Sequence, residues 1–432
     1  MASDETGDGV STRRDYVKYG GALIGGGLFA GCTGSGGSGS NGSGGANGSS
    51  GSTGTQADTA SGASGDGTET GGGTNETDGT TSGAANAYSV TMAPMGEVTF
   101  EAVPKTIFTR LTHLAGMAFA LGRGNDVNAM HAPDYYDALW NQFTPRLPGV
   151  SLDWSGLYSS WEPSKEKLYE LDSDVHLADP ASVFAVEGWN ESDLAEIEEN
   201  VAPWFGNQYS DTHATPPEAY QNQYRYYSLW DMFEKVAAVF QEQERYRALS
   251  SIHSDLRDTI ESELPAKGER PTVALLGLSD LESIYAYKVS VPGFLVAHIR
   301  PLKPAETFGD DVSSGDTVDT ETLLAADPEV ILALGGMHPD TDMPGIRSGL
   351  ADDPVAADVT AVKDDRVYAQ GARYQGPILN LFQLEMSAKQ LYPERFGEWP
   401  TYEKGPYPEI PANEQLFDRE RVARIITGGG TT

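Results

Sequence analysis

From Ser228 to Leu264 the chain carries neither glycine nor proline, and Leu229, Met232, Phe233, Val236, Leu249, Ile252, Leu256 and Ile260 fall at helical spacing. Ser228 is a favoured N-cap and Pro265 follows the last periodic residue, so start and stop signals agree with the periodicity. Unbroken, such a helix spans roughly 55 Å at 1.5 Å per residue, more than a small domain needs. The apolar stripe skips Gln241 to Gln243, so two consecutive helices, the second from about Glu244, satisfy the pattern equally. Either way a stiff element separates two stretches in which strand and helix patterns alternate. The segment 228–264 therefore reads as a spine between two lobes.

The stretches on either side fit that reading. Between residues 88 and 227, strands are expected at Thr106–Arg110 and Asp126–Met130, and helices at Leu111–Leu121, Asp134–Phe143 and Ser192–Glu199. Between 265 and 400, Thr272–Leu278, Ile284–Lys288, Phe294–Ile299 and Val367–Gln370 read as strands, and Pro377–Leu391 as a long amphipathic helix. An internal repeat ties the two together. Glu166-Lys167-Leu168 leads to Asp172 and Val175-His176-Leu177-Ala178, and Glu321-Thr322-Leu323 leads to Asp327 and Val330-Ile331-Leu332-Ala333. The acid, the Leu, the Asp, the Val and the closing Leu-Ala keep the same offsets, so a helix, a turn and a strand are used once per lobe. The expected fold is α/β: two pseudo-symmetric lobes joined by the spine, with a cleft between them. Residues 401–432 form a C-terminal extension, helical from Leu416 to Ile426.

The N-terminal residues are of another kind. Arg13-Arg14 precede a short apolar, glycine-rich run that ends at Cys32, the sole cysteine of the 432-residue chain. Paired arginines before such a run are the layout of a twin-arginine export signal, and Ala30-Gly31-Cys32 is similar to the end of a lipobox, whose cysteine takes a lipid. Residues 1–32 thus read as an address. Residues 33–87, almost entirely Gly, Ser, Thr, Asn, Asp and Ala, cannot bury enough apolar surface to fold and read as a tether with a reach of about 40 Å. A single cysteine excludes an intrachain disulfide and a multi-thiolate metal site. The net charge of −34 argues against nucleic acid as a partner and suits solubility in molar salt, where charges are screened beyond about 3 Å.

Taken together, Pro104 to Pro393 resembles the substrate-binding proteins of ABC importers, in the class that handles ferric siderophores, haem and cobalamin. The resemblance rests on the repeated helix-turn-strand units, the spine, Lys363-Asp364-Asp365-Arg366-Val367-Tyr368, Gly376-Pro377 and Tyr392-Pro393. It implies a monomer that traps its ligand between the lobes without catalysis or a cofactor and docks on an ABC permease dimer. An acid on each lobe pairs with permease arginines in that class, and Glu166 and Glu321 occupy the matching positions. Cleft residues should come from loops at strand ends. The candidates are Arg110 and His113; Trp154 and Tyr158; Tyr285, Lys288, His298 and Arg300; and Arg373 with Tyr374. Arginines give charge-assisted hydrogen bonds to the oxygens of an anionic metal chelate, and Trp or Tyr rings give flat contacts at low entropy cost.

The expected ligand is an iron(III)-siderophore complex, with cobalamin or haem as the alternative on the same fold. No two of the seven histidines have the close spacing of a helix-borne zinc pair, so direct binding of a bare metal ion is not expected. An exported hydrolase is the reading from another class, but the chain has no Gly-x-Ser-x-Gly, His-Glu-x-x-His or phosphate-binding glycine loop. A stalked adhesion module is compatible with the tether and does not account for the repeat. The expected location is the outer face of the cytoplasmic membrane, held through Cys32.

Overall fold

Buried β-branched and aliphatic runs become the strands of two sheets in the computed structural model, which describes residues 87–278, 281 and 283–429. Arg13, Arg14, Cys32 and the tether up to residue 86 lie outside the described residues. A hairpin of β1 (Tyr88–Met92) and β2 (Gly96–Phe100) opens the described chain. The first lobe holds β3 (Ile107–Thr109), β4 (Val127–Met130), β5 (Tyr158–Ser159) and β6 (Val175–Leu177), all parallel in the order β5-β4-β3-β6. Its helices are α1 (Thr112–Ala120), α2 (Pro133–Trp140), α3 (Lys165–Leu171), α4 (Pro180–Phe184), α5 (Glu191–Asn200) and the short α6 (Glu218–Gln221). Alternation sorts the sheet's faces. Ile107, Val127 and Val175 join the main core, while Phe108 and Ala129 pack with Leu168, Ile197 and Trp204 on the outer side.

The spine is two helices, α7 (Leu229–Val239) and α8 (Gln243–Glu263). Ser228 caps α7 in a box with Asp231, and the break falls where Gln241 takes φ +56. The second lobe is a six-stranded sheet. Its centre is parallel, with β7 (Thr272–Gly277) beside β11 (Val330–Leu334) and β11 beside β12 (Val367–Ala369). Strand β8 (Ile284–Tyr287) lies antiparallel on β7, β9 (Ala305–Glu306) pairs with β7 in parallel, and β10 (Thr317–Val318) closes the edge. The remaining helices are α9 (Thr320–Ala326), α10 (Met343–Asp352), α11 (Thr360–Lys363), α12 (Pro377–Leu391), α13 (Pro393–Phe396) and α14 (Arg419–Ile426).

The repeat is visible in atomic detail. In α3, Ser164 accepts from Lys167 N and the helix stops at Asp172 with φ +44; in α9, Asp319 accepts from Thr322 N and the stop is Asp327 with φ +40. Each stop feeds a strand that begins with Val. Glu166 and Glu321 are exposed at equivalent first-turn positions.

Two expectations are corrected. Phe294–Ile299 is a chain of turns, not a strand: Ala297 N bonds Phe294 O, and both Ile299 N and Arg300 N bond Val296 O. Its apolar run mimics a strand because the segment is tucked between the lobes, where Phe294, Leu295 and Val296 are fully covered. Helix α12 is not amphipathic in use, since all its 15 residues are buried. The extension covers its polar face. Arg419 pairs with Glu385 at 2.6 Å, Tyr407 OH donates to the same carboxylate at 2.9 Å, and the Arg419 guanidinium sits among Phe382, Tyr407 and Phe417.

A buried ion pair robbed of one partner leaves an uncompensated charge, so Glu385→Gln should cost about 3 kcal/mol or more in urea unfolding. A loss under about 1 kcal/mol would show that water reaches Arg419 and that the extension is not anchored there.

Candidate functional site

In both sheets the C-terminal ends of the parallel strands face the same gap, the place where open α/β sheets present functional side chains. From the first lobe come Arg110 after β3, His131 after β4, Trp161 after β5 and Asp179 after β6. The second lobe contributes Gly335 to His338 after β11 and Arg373-Tyr374 after β12.

Arg110 is buried and held from several directions. Nε and Nη2 donate to Trp161 O at 3.1 and 3.0 Å, Nη1 donates to Ser182 Oγ at 3.1 Å and Gln208 Oε1 at 3.0 Å, and the guanidinium lies 4.7 Å above the Trp161 ring. Gln208 N in turn donates to Asp179 at 2.8 Å, as does Tyr224 OH at 2.5 Å. Burial pushes the Asp179 carboxyl up to about 6, against the hydrogen bonds and Arg110 that favour its charge.

Across the gap, Arg373 stacks 3.9 Å over the Tyr287 ring, and its Nε meets no acceptor among the described residues. The next residue crosses the seam. Tyr374 OH donates to Asp211 Oδ2 at 3.2 Å, and Tyr374 O accepts from Thr112 Oγ1 at 2.8 Å. Burial pushes Asp211 up to about 7, opposed by the His213 N–H, Arg373 and the Tyr374 hydroxyl. Gly293, at φ +97, lets the Pro292-Gly293 turn rest on the Asp211 carbonyl, which a Cβ there would strike. Phe294 N bonds Ser210 O at 3.3 Å.

His113 lies in this seam with its ring centroid 4.5 Å from Phe294 and 5.9 Å from Tyr374, and neither ring nitrogen has a partner among the described residues. Burial lowers its pKa to about 3, so it is neutral. His298 Nδ1 takes a hydrogen bond from Gln375 Nε2 at 2.7 Å, which assigns its proton to Nε2, an atom without an acceptor among the described residues. At the rim the Tyr135 and His338 rings stack at 4.1 Å. Between them Tyr135, Tyr136, Leu334, Gly371 and Arg373 help enclose a cavity of about 10 Å³, room for one water. The lobes are closed on each other, and the seam tightens further where Gly116 of α1 meets Gly376 at the start of α12. A Cβ at Gly116 would lie 2.8 Å from the Gly376 Cα.

The structure therefore brings Arg110, His113, His298, Arg373 and Tyr374 to one seam. Arg300 lies beside it as a brace, donating to Val291 O at 3.2 Å and Gly293 O at 2.6 Å. Tyr285 is half-buried on β8, and Lys288 points to Asp310 at 4.0 Å. Tyr158 lies on β5 against the outer cluster, under Lys167. Trp154 is corrected: it is fully buried in the first lobe, donates to Gly124 O at 3.0 Å and packs on Trp140 and Phe119, so it meets no cleft. Asp179, Gln208 and Asp211 escaped sequence reasoning. Asp179 was within reach, since it follows the repeated Leu-Ala as Arg110 follows β3; Asp211 sits in a loop without periodicity.

Two parallel-centred lobes that meet over their strand ends form a cleft-type α/β architecture. The profile of the periplasmic binding protein family matches residues 158–374, half of the chain, and the chain belongs to that family. Its members bind small solutes and work with ABC permeases. No curated protein matches the sequence significantly. Among solved structures, a periplasmic solute binding protein from Veillonella parvula superposes with TM-score 0.50 at 16% identity, covering 73% of this chain and 89% of its own. Ceue of Helicobacter pylori with Ni(II) bound gives TM-score 0.50 at 14% identity, covering 72% and 90%. At such identity both show the fold alone. Among the described residues no helix is long and apolar enough to cross a membrane, and no group of three or more His, Cys, Asp or Glu is placed to hold a metal ion.

The carboxyl shift has a sign that unfolding can read. Between its ordinary value near 4 and about 7, the folded chain keeps a proton on Asp211 that the unfolded chain has lost. Stability therefore falls as pH rises through that window and is level above it. Asp211→Asn removes this titration, and the buried histidines cancel in the comparison. The stability of the variant relative to the parent should rise by on the order of 2–4 kcal/mol from pH 4 to pH 8 in urea titrations. A pH-independent difference would place the carboxylate in water.

Proposed function

We propose that this protein captures an iron(III)-siderophore complex between its lobes and delivers it to an ABC permease without chemically changing it. The observation that carries the reading is the pair Arg110 and Arg373. They come from strand ends of opposite lobes, are buried at the same seam, and each is stacked on an aromatic ring. A fork of donors on a flat aromatic base suits the oxygen-rich, often anionic face of a metal chelate better than it suits a bare cation. Arg373 has a donor to spare.

A chelate of this class needs a site of several hundred Å³. In the closed form the space is filled by Tyr374, His113 and Phe294, so loading parts the lobes along the Thr112–Tyr374, Tyr374–Asp211 and Phe294–Ser210 bonds. Glu166 and Glu321, exposed at matching places on the two lobes, are the acids for the permease subunits. The protein works outside the cell, exported by the signal at Arg13-Arg14 and held at the membrane by a lipid on Cys32.

The test follows intrinsic tryptophan fluorescence as ferric hydroxamate and catecholate complexes, haem and cobalamin are added in molar KCl. One ferric complex should give saturable quenching. Arg110→Ala and Arg373→Ala should each weaken it by about ten- to a hundredfold, the worth of a charge-assisted hydrogen bond, and Arg300→Ala by less. A response to haem or cobalamin and to no ferric complex would overturn the siderophore reading and keep the fold.

A further inference from the structure

The cleft carries its own anions. Arg110 faces Asp179 through Gln208, and Asp211 is held by Tyr374 beside Arg373, with all four charged groups nearly or fully buried. Each guanidinium thus shares the seam with a carboxylate from another loop, Arg110 through Gln208 and Arg373 through its field at Asp211, neither link being a direct ion pair. Resting on the reading above, we propose that Asp211 is a specificity-determining residue: it is a built-in competitor that makes the cleft favour neutral ferric complexes when ionised and anionic ones when protonated.

The geometry leaves Asp211 nowhere else to act. One carboxylate oxygen takes the Tyr374 hydroxyl from the second lobe and the other takes the His213 N–H at 2.9 Å. The Pro292-Gly293 turn closes over its backbone, and Thr212 Oγ1 bonds Pro292 O. The charged and titratable groups around it are Arg373 and Tyr374 from the loop after β12, Asp179 from the end of β6, Tyr224 from the segment before α7, and His213 two residues on, whose pKa burial lowers to about 4 so that the imidazole stays neutral. Of these, Tyr374 and Tyr224 have pKa values raised above the ordinary tyrosine range, so both remain neutral donors. Arg373 is the sole cation in this set. An anionic ligand oxygen that reaches for Arg373 shares the field of that cation with Asp211. Sharing is unfavourable in a low-dielectric seam, because a second anion meets the first at short range with little water between them. A neutral complex that offers carbonyl-type oxygens meets no such penalty. In the unloaded seam burial pushes the Asp211 carboxyl up to about 7, and its protonation there removes the competitor that an incoming anion meets beside Arg373.

The experiment compares a neutral ferric trihydroxamate with a trianionic ferric tris-catecholate on the full chain, at fixed KCl and at pH 6.5 and 8.5. In the parent protein, affinity for the anionic complex relative to the neutral one should drop about tenfold or more from the lower to the higher pH, well within what one unit charge supplies at an effective dielectric near 20. Asp211→Asn should hold the ratio near its pH 6.5 value at both pH values, apart from the weaker dependence that Asp179 leaves. Tyr374→Phe, which removes the clamp and keeps the charge, should retain the parent's pH dependence. A parent ratio that does not move with pH overturns the proposal even if Asp211→Asn fails to fold, and so does an Asp211→Asn ratio that moves as the parent's does. A folded parent that binds neither complex overturns the siderophore reading and this inference with it; binding of one or both with an unmoved ratio overturns the inference alone.

Discussion

A helix with no exposed face has to be covered from every side, and α12 imposes that requirement on the whole molecule. Its N-terminus begins at the seam directly after Arg373-Tyr374, its first turns pack on α1 and the spine, and its polar residues point where solvent would lie in a smaller protein. Asn380 accepts the Trp230 indole N–H of α7 at 3.0 Å, Gln383 bonds Ala372 O, and Glu385 needs the arginine that the C-terminal extension brings. Burying a carboxylate without that partner costs several kcal/mol. The extension is therefore part of the core, and one consequence reaches the site: the helix that fixes Arg373 and Tyr374 is itself fixed by both lobes, the spine and the extension.

That arrangement explains how two lobes meet so closely. The Gly116 and Gly376 backbones approach more closely than any pair of side-chain-bearing residues allows, and this sets the separation of α1 from α12. At that separation His113 reaches Phe294 and Tyr374, and Thr112 reaches the Tyr374 carbonyl. The seam buries both ring nitrogens of His113, Nε2 of His298 and Nε of Arg373 without partners among the described residues. Buried polar atoms left without partners cost about 1–3 kcal/mol each. A closed seam that tolerates several of them is poised for a ligand with acceptors to offer, and its contacts are few enough to part.

Much of this was legible in the sequence, for identifiable reasons. The spine announced itself by a long apolar stripe, and the skipped turn at Gln241–Gln243 marked the real break because Gln241 takes a left-handed conformation that no periodicity continues. The repeat was readable because Asp172 and Asp327 both stop a helix in that same conformation, a role Asp fills better than most residues. That Arg110, His113, Arg373 and Tyr374 meet at the seam followed from the rule that loops at strand ends present side chains between lobes. The rule could not say that Trp154 would turn inward, since an aromatic loop reads alike whether it faces ligand or core; the indole N–H found Gly124 O and the ring found Trp140. Nor did it reach Asp211, whose loop from Gly206 to Tyr227 has neither period nor repeat and is shaped by contacts with the other lobe.

The distribution of charge gives the cleft its logic. A net charge of −34 surrounds the chain with a field that repels anions, and at about 0.15 M salt that field extends roughly 8 Å from the surface, against about 3 Å at 1 M. An anionic chelate approaching in dilute salt would therefore be turned away before it met an arginine. In molar salt the surface is nearly silent, while charges inside a water-poor seam are screened much less. On the proposed reading, recognition by charge then passes from the surface to four buried groups of the cleft, Arg110, Arg373, Asp179 and Asp211. Of the four, the two carboxylates are the groups that burial pushes up toward neutral pH, Asp179 to about 6 and Asp211 to about 7.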